Sequence, residues 1–267
     1  MTTISTTSDS LSNNLASQPI ADASFVKRAA VLVYGVVSYT AGVAALVGWI
    51  LHMLGVLEFT GGGLHLAVAG GVFFNLGLMI AFGLQHSIMA RPAFKKKWTK
   101  IIPQAIERST FVLATGLVLG PVLFFWQPMD VTVWSVSIPA VRWALLGVAL
   151  AGWAYLFLAS FAINHFELFG LRQVYQYSRG RKVTGVPFKE RMMYRFDRHP
   201  IMTGALIGLW VTPEMGLDHL LFSIMTTIYI VIGVYFEERS LRRDLGATYD
   251  DYAERVGTIV PTFSKRS

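Results

Sequence analysis

The chain alternates between long apolar stretches and shorter polar segments. Four apolar stretches cover about residues 29–57, 64–90, 109–126 and 138–163. An α-helix needs about 20 apolar residues to cross the hydrocarbon core of a bilayer, so each stretch predicts a transmembrane helix. Arg142 lies one turn inside the fourth stretch, from which its side chain is expected to reach up to the membrane surface.

The C-terminal apolar part differs from these four stretches. Residues 200–212 and 217–236 are apolar, but Pro213-Glu214-Met215-Gly216 interrupts them. The first piece is short for a span, so we interpret the two pieces as a helix hairpin that need not cross the membrane completely. The predicted fold is therefore an all-α, polytopic membrane bundle, with four full spans and a C-terminal helix hairpin that together give five to six transmembrane segments.

The two ends of the chain are polar. Residues 1–26 are rich in Ser, Thr and Asn and have no basic patch before an apolar core, so they predict a disordered cytoplasmic tail rather than a signal peptide. From Glu237 onward the chain is predicted to form a charged, soluble tail. We treat residues 27–267 as one membrane domain.

Composition supports a membrane protein and narrows its chemistry. The chain is 54% hydrophobic and 15% charged, whereas soluble domains carry about 25% charged residues. It contains no cysteine, which excludes a disulfide framework, a thiolate metal site and a cysteine nucleophile.

The net charge of +7 follows membrane topology. Of the 23 Lys and Arg residues, 22 lie in the N-terminal tail, in 89–108, in 164–199 or in 237–267, which share one side if the spans alternate. The positive-inside rule then places both termini in the cytoplasm, and we expect a bacterial inner-membrane protein. We therefore expect no nucleic-acid partner, and we interpret Lys95-Lys96-Lys97 as a contact with lipid head groups.

Polar side chains collect where the apolar stretches meet the predicted cytoplasmic side. Ionisable groups at such positions are candidates for a functional site. The group comprises His86, His165, His199, Gln85, Asn164, Glu167, Arg172, Gln173, Tyr194, Arg198, Glu237 and Glu238. No two histidines are spaced i, i+3 or i, i+4, the spacing that places two metal ligands on one helix face, so we predict no metal site.

A cofactor with several charged groups fits this group better than a metal. Arg198-His199-Pro200 opens a helix with proline in its first turn, and free N–H groups beside an arginine would hold a carboxylate. Gly204 would let a ligand approach the backbone. Glu237 and Glu238 close the last apolar stretch, where acids oppose the helix dipole and are free to bind a ribose or a positive centre. S-adenosylmethionine combines all three features.

The same residues resemble a known family signature. Residues 183–263 resemble the C-terminal signature of the isoprenylcysteine carboxyl methyltransferase superfamily, which also includes phospholipid methyltransferases and NnrU-like proteins. The matching motifs are Arg198-His199-Pro200-x-x-x-Gly204, Glu237-Glu238-x-x-Leu241, Leu245-Gly246-x-x-Tyr249-x-x-Tyr252-x-x-x-Val256 and Pro261.

The remainder of the chain is similar to one branch, the membrane methanethiol S-methyltransferases. The motifs that carry this likeness are Gln85-His86-Ser87-x-Met89-Ala90-Arg91-Pro92, Pro103-x-x-x-Glu107-Arg108-Ser109 and the run from His165 to Gln173. With them the resemblance spans most of residues 64–263.

The resemblance implies an S-adenosylmethionine-dependent enzyme that methylates methanethiol, a small thiol, to dimethyl sulfide, with its cofactor site in 164–263. The implied cofactor-binding residues are Gln173, Tyr194, Arg198, His199, Pro200, Gly204, Glu237 and Glu238. His86 and His165 are the candidate catalytic residues, because a neutral imidazole can take the thiol proton near pH 7.

The chain departs from the superfamily pattern at two points. Met202 stands where the signature usually has tyrosine, and residues 232–236 supply no cation for an acceptor carboxylate. Both favour an acceptor without a carboxylate. One alternative is methylation of another thiol or of a lipid-like acceptor. A second is an NADPH-dependent membrane reductase, for which Arg179, Arg181 and Lys182 would be the candidate residues that bind the dinucleotide. A third is a non-enzymatic, NnrU-like accessory protein.

Overall fold

The computed structural model describes residues 23–58, 61–184 and 191–259 and is almost entirely helical. The helices are α1 (Phe25–Met53), α2 (Val68–Ala90), α3 (Pro92–Trp98), α4 (Gln104–Phe125), α5 (Pro139–Ile163), α6 (His165–Leu168), α7 (Leu171–Ser178), α8 (Pro200–Trp210), α9 (Leu217–Leu245) and α10 (Ala247–Arg255). Single 3-10 turns cover Gly61–Gly63 and Met192–Arg195, and two strands are β1 (Thr132–Ser135) and β2 (Glu214–Gly216).

Five of the described helices are long and apolar enough to cross a membrane, namely α1, α2, α4, α5 and α9. This confirms the predicted all-α, polytopic membrane bundle. Residues 1–22 of the predicted tail lie outside the described residues. The first helix begins at Phe25, where the Ser24 hydroxyl accepts a hydrogen bond from Lys27 N at 3.4 Å.

Two helix boundaries differ from the prediction. Helix α4 begins at Gln104, directly after Pro103, with Glu107 in its first turn, where a carboxylate favours the positive end of the helix dipole. Helix α9 continues past residue 236 to Leu245, so the helix does not end where its apolar stretch ends, and the first part of the predicted charged tail is helical. Arg242 lies 3.2 Å from Glu238, an i,i+4 ion pair of the kind that extends helices beyond an apolar segment.

Glycine positions allow two helix pairs to pack closely. In the α1–α4 pair, a methyl group added to Gly116 would lie 3.1 Å from the Cα of Gly42. In the α5–α8 pair, a methyl group added to Gly204 would lie 2.6 Å from the carbonyl oxygen of Gly152. Small residues at such contacts permit the close backbone approach that stabilises helices in lipid.

The strand pair settles how the C-terminal hairpin runs. Helix α8 has only 11 residues and extends about 16 Å. The extended chain after it forms β2, which pairs antiparallel with β1 between α4 and α5, with Trp134 opposite Met215. The α8–β2 segment therefore runs the length of α5 and reaches the same end of the bundle as the α4–α5 connection.

The connecting segments divide into two groups. The basic end comprises residues 23–28, 91–103, 164–184, 191–199 and 246–259, and the strand end comprises 54–58, 61–67, β1, β2 and the turns beside them. Arg142, at the strand end, forms an ion pair with Glu214 at 3.4 Å. That the basic end faces the cytoplasm stays a prediction.

Candidate functional site

Arg198 is the centre of a buried ionic network at the basic end. Its Nε and Nη2 atoms donate to Glu238 Oε1 at 2.8 and 2.7 Å, and Nη2 also donates to Thr258 Oγ1 at 2.6 Å. Its Nη1 atom donates to the carbonyl oxygens of Ala253, at 2.8 Å, and of Val256. A guanidinium has five N–H donors, so all five are used within the protein.

The two glutamates play different parts in this network. Glu238 is buried and also contacts His199 Nε2 at 3.3 Å and Arg242 Nη2 at 3.2 Å. The Glu237 side chain is 53% exposed, and its Oε2 lies 3.6 Å from His199 Nδ1. The imidazole of His199 therefore lies between one buried and one accessible carboxylate. Because α9 runs on to Leu245, neither acid stands at the helix terminus assumed from the sequence.

The start of α8 is held by the segment that follows α10. Arg198 N and His199 N donate to the carbonyl oxygens of Gly257 and Thr258, at 2.9 and 3.2 Å. Pro200 occupies the first helical position, as its sequence context predicts. Gly204 faces α5, so its lack of a side chain serves the α5–α8 contact.

Helix α10 explains the spacing of the C-terminal motif. Tyr249, Tyr252 and Val256 are buried together, and the Tyr252 hydroxyl donates to the carbonyl oxygen of Tyr194 at 2.7 Å. Burial, and then the Glu238 carboxylate, raise the pKa of Tyr249 to about 12, so its hydroxyl stays protonated. The motif thus folds the chain back over Arg198.

Asp197 is a polar residue of this region that the sequence interpretation missed. It is fully buried, and its Oδ1 accepts a hydrogen bond at 2.9 Å from the N–H of His199, the residue directly before α8. Its Oδ2 is buried, and the hydroxyls of Tyr155 and Thr203 lie beside this carboxylate. Burial raises the pKa of the Asp197 carboxyl. The sequence signal that could have indicated this residue is an aspartate three residues before the proline that begins helix α8.

Tyr194 lies beside the same acids. Burial, and then the charge of Glu237, raise the pKa of the Tyr194 hydroxyl. Tyr194, Arg198, His199, Glu237 and Glu238 are therefore brought together by the fold.

Gln173 lies in a different group of contacts, on α7. Its Nε2 donates to the carbonyl oxygen of Glu167 at 3.1 Å, and its Oε1 is buried without a partner among the described residues. Glu167 in turn pairs with Arg172. No hydrogen bond within the described ranges joins Gln173 to the Arg198 network.

His165 is buried at the end of α5, on α6. Its Nδ1 lies 2.8 Å from Ser160 Oγ and its Nε2 lies 2.9 Å from the Tyr39 hydroxyl. The ring stacks on Phe161, with centroids 4.2 Å apart and an interplanar angle of 10°. Burial lowers the pKa of His165, which favours the neutral imidazole.

His86 stands apart from His165, between α2, α4 and α9. Its Nδ1 lies 3.3 Å from Thr115 Oγ1, and the ring stacks beside Phe82. The Thr115 hydroxyl donates to Phe111 O at 2.9 Å, so His86 Nδ1 carries the hydrogen and Nε2 is the acceptor nitrogen. His86 Nε2 has no hydrogen-bond partner in the described part of the chain.

Helix α5 connects the Arg198 network to His165. Tyr155 lies near Asp197 and Tyr194, and Ser160 contacts His165. Tyr155 and Ser160 are five residues apart on this helix, which separates them by about 7.5 Å along the helix axis.

Within the described ranges, no three His, Asp or Glu side chains are grouped so that they could hold a metal ion.

Comparison with known proteins gives relatives along most of the chain. It is 40% identical over 248 residues to the methanethiol S-methyltransferase 2 of Bradyrhizobium diazoefficiens, covering 90% of this chain and 93% of that protein. It is also 40% identical over 239 residues to the methanethiol S-methyltransferase of Mycobacterium tuberculosis, covering 88% of this chain and 98% of that protein.

A more distant relative is Nurim of Rattus norvegicus, 28% identical over 187 residues that cover 66% of this chain and 70% of that protein. No family model matches the chain, and no solved structure is significantly similar to it.

Proposed function

The chain belongs to the methanethiol S-methyltransferase family, and we propose that it transfers the methyl group of S-adenosylmethionine to methanethiol, which releases dimethyl sulfide. The single observation that carries the proposal is the 40% identity to proteins of that name over about nine-tenths of the chain. The polar cluster at the basic end is the proposed site of the reaction.

The residues of the basic end fit a charged cofactor. Glu237 offers an accessible carboxylate beside His199, and Gln173 carries a buried oxygen without a partner in the described structure. Such acceptors suit the hydroxyl and ammonium groups of S-adenosylmethionine. When bound, the cofactor supplies a methyl group on a positively charged sulfur.

We assign Arg198 a supporting role in this site. Its five donors are engaged by Glu238, Thr258 and two carbonyl oxygens, so none is left for the cofactor carboxylate. It holds Glu238 and the segment after α10 in place, and Pro200 and Gly204 hold α8. The groups that would face the cofactor are then Tyr194, His199 and Glu237.

The acceptor thiol must lose a proton as it is methylated. Alignment of the thiol sulfur with the methyl carbon, and exclusion of water, are the main tasks of the protein. His86 and His165 are the proposed proton acceptors. His86→Ala or His165→Ala is therefore expected to lower turnover by about 100-fold or more and to leave cofactor affinity unchanged.

The basic end is proposed to face the cytoplasm of a bacterial inner membrane. S-adenosylmethionine is charged and does not diffuse through hydrocarbon, so its site must open to an aqueous compartment. Methanethiol and dimethyl sulfide are small and apolar and can pass through the bilayer.

The test is to incubate the purified full-length protein with methyl-labelled S-adenosylmethionine and methanethiol, and to measure labelled dimethyl sulfide by gas chromatography with mass detection. Cofactor affinity is measured separately by calorimetry. We expect labelled dimethyl sulfide from the wild type, and none when either reactant is omitted. Absence of product together with absence of cofactor binding would overturn the proposal.

A further inference from the structure

A continuous chain of hydrogen bonds runs from α1 through His165 into α5. The Tyr39 hydroxyl lies 2.9 Å from His165 Nε2, and His165 Nδ1 lies 2.8 Å from Ser160 Oγ. Ser160 Oγ in turn donates to the carbonyl oxygen of Phe157 at 2.7 Å. The neighbouring groups are aromatic, because Phe161, Phe166 and Phe169 surround the imidazole.

The positions of the hydrogens follow from counting donors. A serine hydroxyl has one hydrogen, and that of Ser160 is used by the Phe157 carbonyl oxygen. His165 Nδ1 must therefore carry a hydrogen and donate it to Ser160 Oγ. A neutral imidazole then has its lone pair on Nε2, which accepts the hydrogen of the Tyr39 hydroxyl.

This arrangement leaves His165 no atom with which to touch a substrate. Both ring nitrogens are bonded within the protein, and the residue is 3% exposed. Tyr39 is only half-buried, and its Oη keeps lone pairs that can accept another hydrogen bond. The exposed neighbours on this part of α1, Val36 and Val37, are apolar.

We propose that Tyr39 is the catalytic residue that contacts the acceptor thiol, and that His165 acts through it as a positioning residue and final proton acceptor. The proposal rests on the proposed thiol methylation. The thiol S–H donates to Tyr39 Oη while the Tyr39 O–H donates to His165 Nε2.

The proton steps balance along this path. As the thiol sulfur bonds to the methyl carbon, the bond between that carbon and the sulfonium sulfur breaks and its electron pair stays on the departing sulfur. The thiol proton passes to Tyr39 Oη, and the original Tyr39 hydrogen passes to His165 Nε2. The imidazolium so formed keeps its Nδ1–H on Ser160, and it returns one proton to water after product release.

The experiment compares two tyrosine-to-phenylalanine variants in the full-length protein with two thiols. Tyr39→Phe removes the proposed relay. Tyr34→Phe is the matched control, because Tyr34 lies on the same helix and its hydroxyl donates to Thr110 Oγ1 at 2.9 Å with no histidine involved. The thiols are methanethiol, a weak acid, and an aromatic thiol, which is already largely ionised at mildly alkaline pH.

For Tyr39→Phe we expect kcat/KM for methanethiol to fall by about 100-fold, in the range of general-base contributions, and the value for the aromatic thiol to change little. A thiolate needs no proton acceptor, whereas a merely structural role would lower both values equally. Tyr34→Phe should leave both values near the wild type. Ser160→Ala, which removes the acceptor of His165 Nδ1–H, should give a smaller loss with the same selectivity for methanethiol.

Three results would overturn the relay. The first is an equal loss of kcat/KM for the two thiols in Tyr39→Phe. The second is an unchanged kcat/KM for methanethiol in that variant. The third is a loss selective for methanethiol in His86→Ala but not in Tyr39→Phe or Ser160→Ala. Cofactor affinity and melting temperature are measured for each variant and identify one that fails to fold. If Tyr39→Phe fails to fold, the ratio of the losses for the two thiols in Ser160→Ala tests the relay. A wild type that methylates neither thiol would instead defeat the proposed function itself.

Discussion

The two ends of the bundle both bury polar groups, but they treat them differently. At the strand end, Asn75 is fully buried and pairs both ways with the backbone of Gln127, at 2.9 and 2.8 Å. The Gln127 side chain then donates to the carbonyl oxygens of Gly61 and Phe125, at 2.9 and 2.8 Å. These are neutral hydrogen bonds whose partners are mostly backbone, so they tie loops to helices.

At the basic end several buried polar groups are charged or incompletely paired. Among the described residues, two buried amide oxygens lack a hydrogen-bond partner, on Gln173 and Gln85, and both lie at this end. A buried polar group without a partner is costly to the fold. The comparison teaches that stability alone does not explain these groups, and it supports the proposal of a ligand at the basic end that would satisfy them.

The two ends also differ in how the polar side chains around a cavity are paired. A cavity of about 630 Å³ lies at the strand end, lined among others by His52, Arg142, Glu214 and His219. Arg142 pairs with Glu214 at 3.4 Å, and His219 Nε2 lies 2.9 Å from the Leu209 carbonyl oxygen. His52 Nδ1 lies 2.9 Å from the Leu57 carbonyl oxygen. Size alone therefore does not locate the site, and the buried amide oxygens without partners at the basic end are the better guide.

The largest effect is expected from Arg198→Ala at the basic end. Removal of the guanidinium leaves the buried Glu238 carboxylate without its main partner, which costs about 3–5 kcal/mol of stability. It also frees the segment after α10, so methyl transfer should be lost. Thermal unfolding in detergent and the dimethyl sulfide assay measure the two effects.

Arg198→Lys is the matched control, because lysine keeps the charge but cannot reach all the acceptors of a guanidinium. It should retain part of the stability and little of the activity. An Arg198→Ala protein with the stability and activity of the wild type would contradict a clamping role for this residue.

A smaller effect is expected from Gly204→Ala, in the contact between α5 and α8. The added methyl group would lie 2.6 Å from both the Gly152 carbonyl oxygen and Leu156 N, which are backbone atoms that cannot move aside cheaply. We expect a loss of about 3 kcal/mol, at the upper end of overpacking effects. The displacement of α8 should also lower cofactor affinity.

Gly147→Ala on α5 is the control, since a methyl group there meets no other atom within 4 Å. Alanine is favoured over glycine in helices by up to about 1 kcal/mol, so this variant should be neutral or slightly more stable. Similar losses in Gly147→Ala and Gly204→Ala would mean that the α5–α8 contact is not the cause.

The smallest effect is expected from Asn75→Ala at the strand end. It leaves the N–H and C=O groups of Gln127 buried without partners and should cost about 2 kcal/mol. Activity per folded molecule should be unchanged, because the change lies at the opposite end from the proposed site. A clear change in kcat with unchanged stability would blur the distinction between the two ends.

Much of the fold could be predicted because the hydrocarbon core of the bilayer limits which backbone structures can cross it. Each stretch of about 20 apolar residues forms a helix, since backbone polar groups must be satisfied within the segment. The predicted spans agree with α1, α2, α4 and α5 to within a few residues. The end of α9 was missed because its last part continues on ion pairs rather than on apolar residues.

The candidate site was only partly predictable. The motif predicted that Arg198, His199 and Glu238 lie together, and they do. The hydrogen-bond partner of each atom could not be predicted, because it depends on distances between segments that are far apart in sequence. Tyr39 and Ser160 carried no signal of their own, since a tyrosine or a serine in an apolar helix is unremarkable in the chain.

By itself, the sequence determined the apolar spans, the placement of nearly all basic residues on one side and the motif that identifies the family. These are properties of composition and order, and they need no long-range contact. Only the tertiary structure decided that the donors of Arg198 are saturated by the protein, that Gly204 serves helix packing and that both ring nitrogens of His165 are bonded by Tyr39 and Ser160. Each of these depends on which donor faces which acceptor, and that is set by the packing of helices rather than by their hydrophobicity.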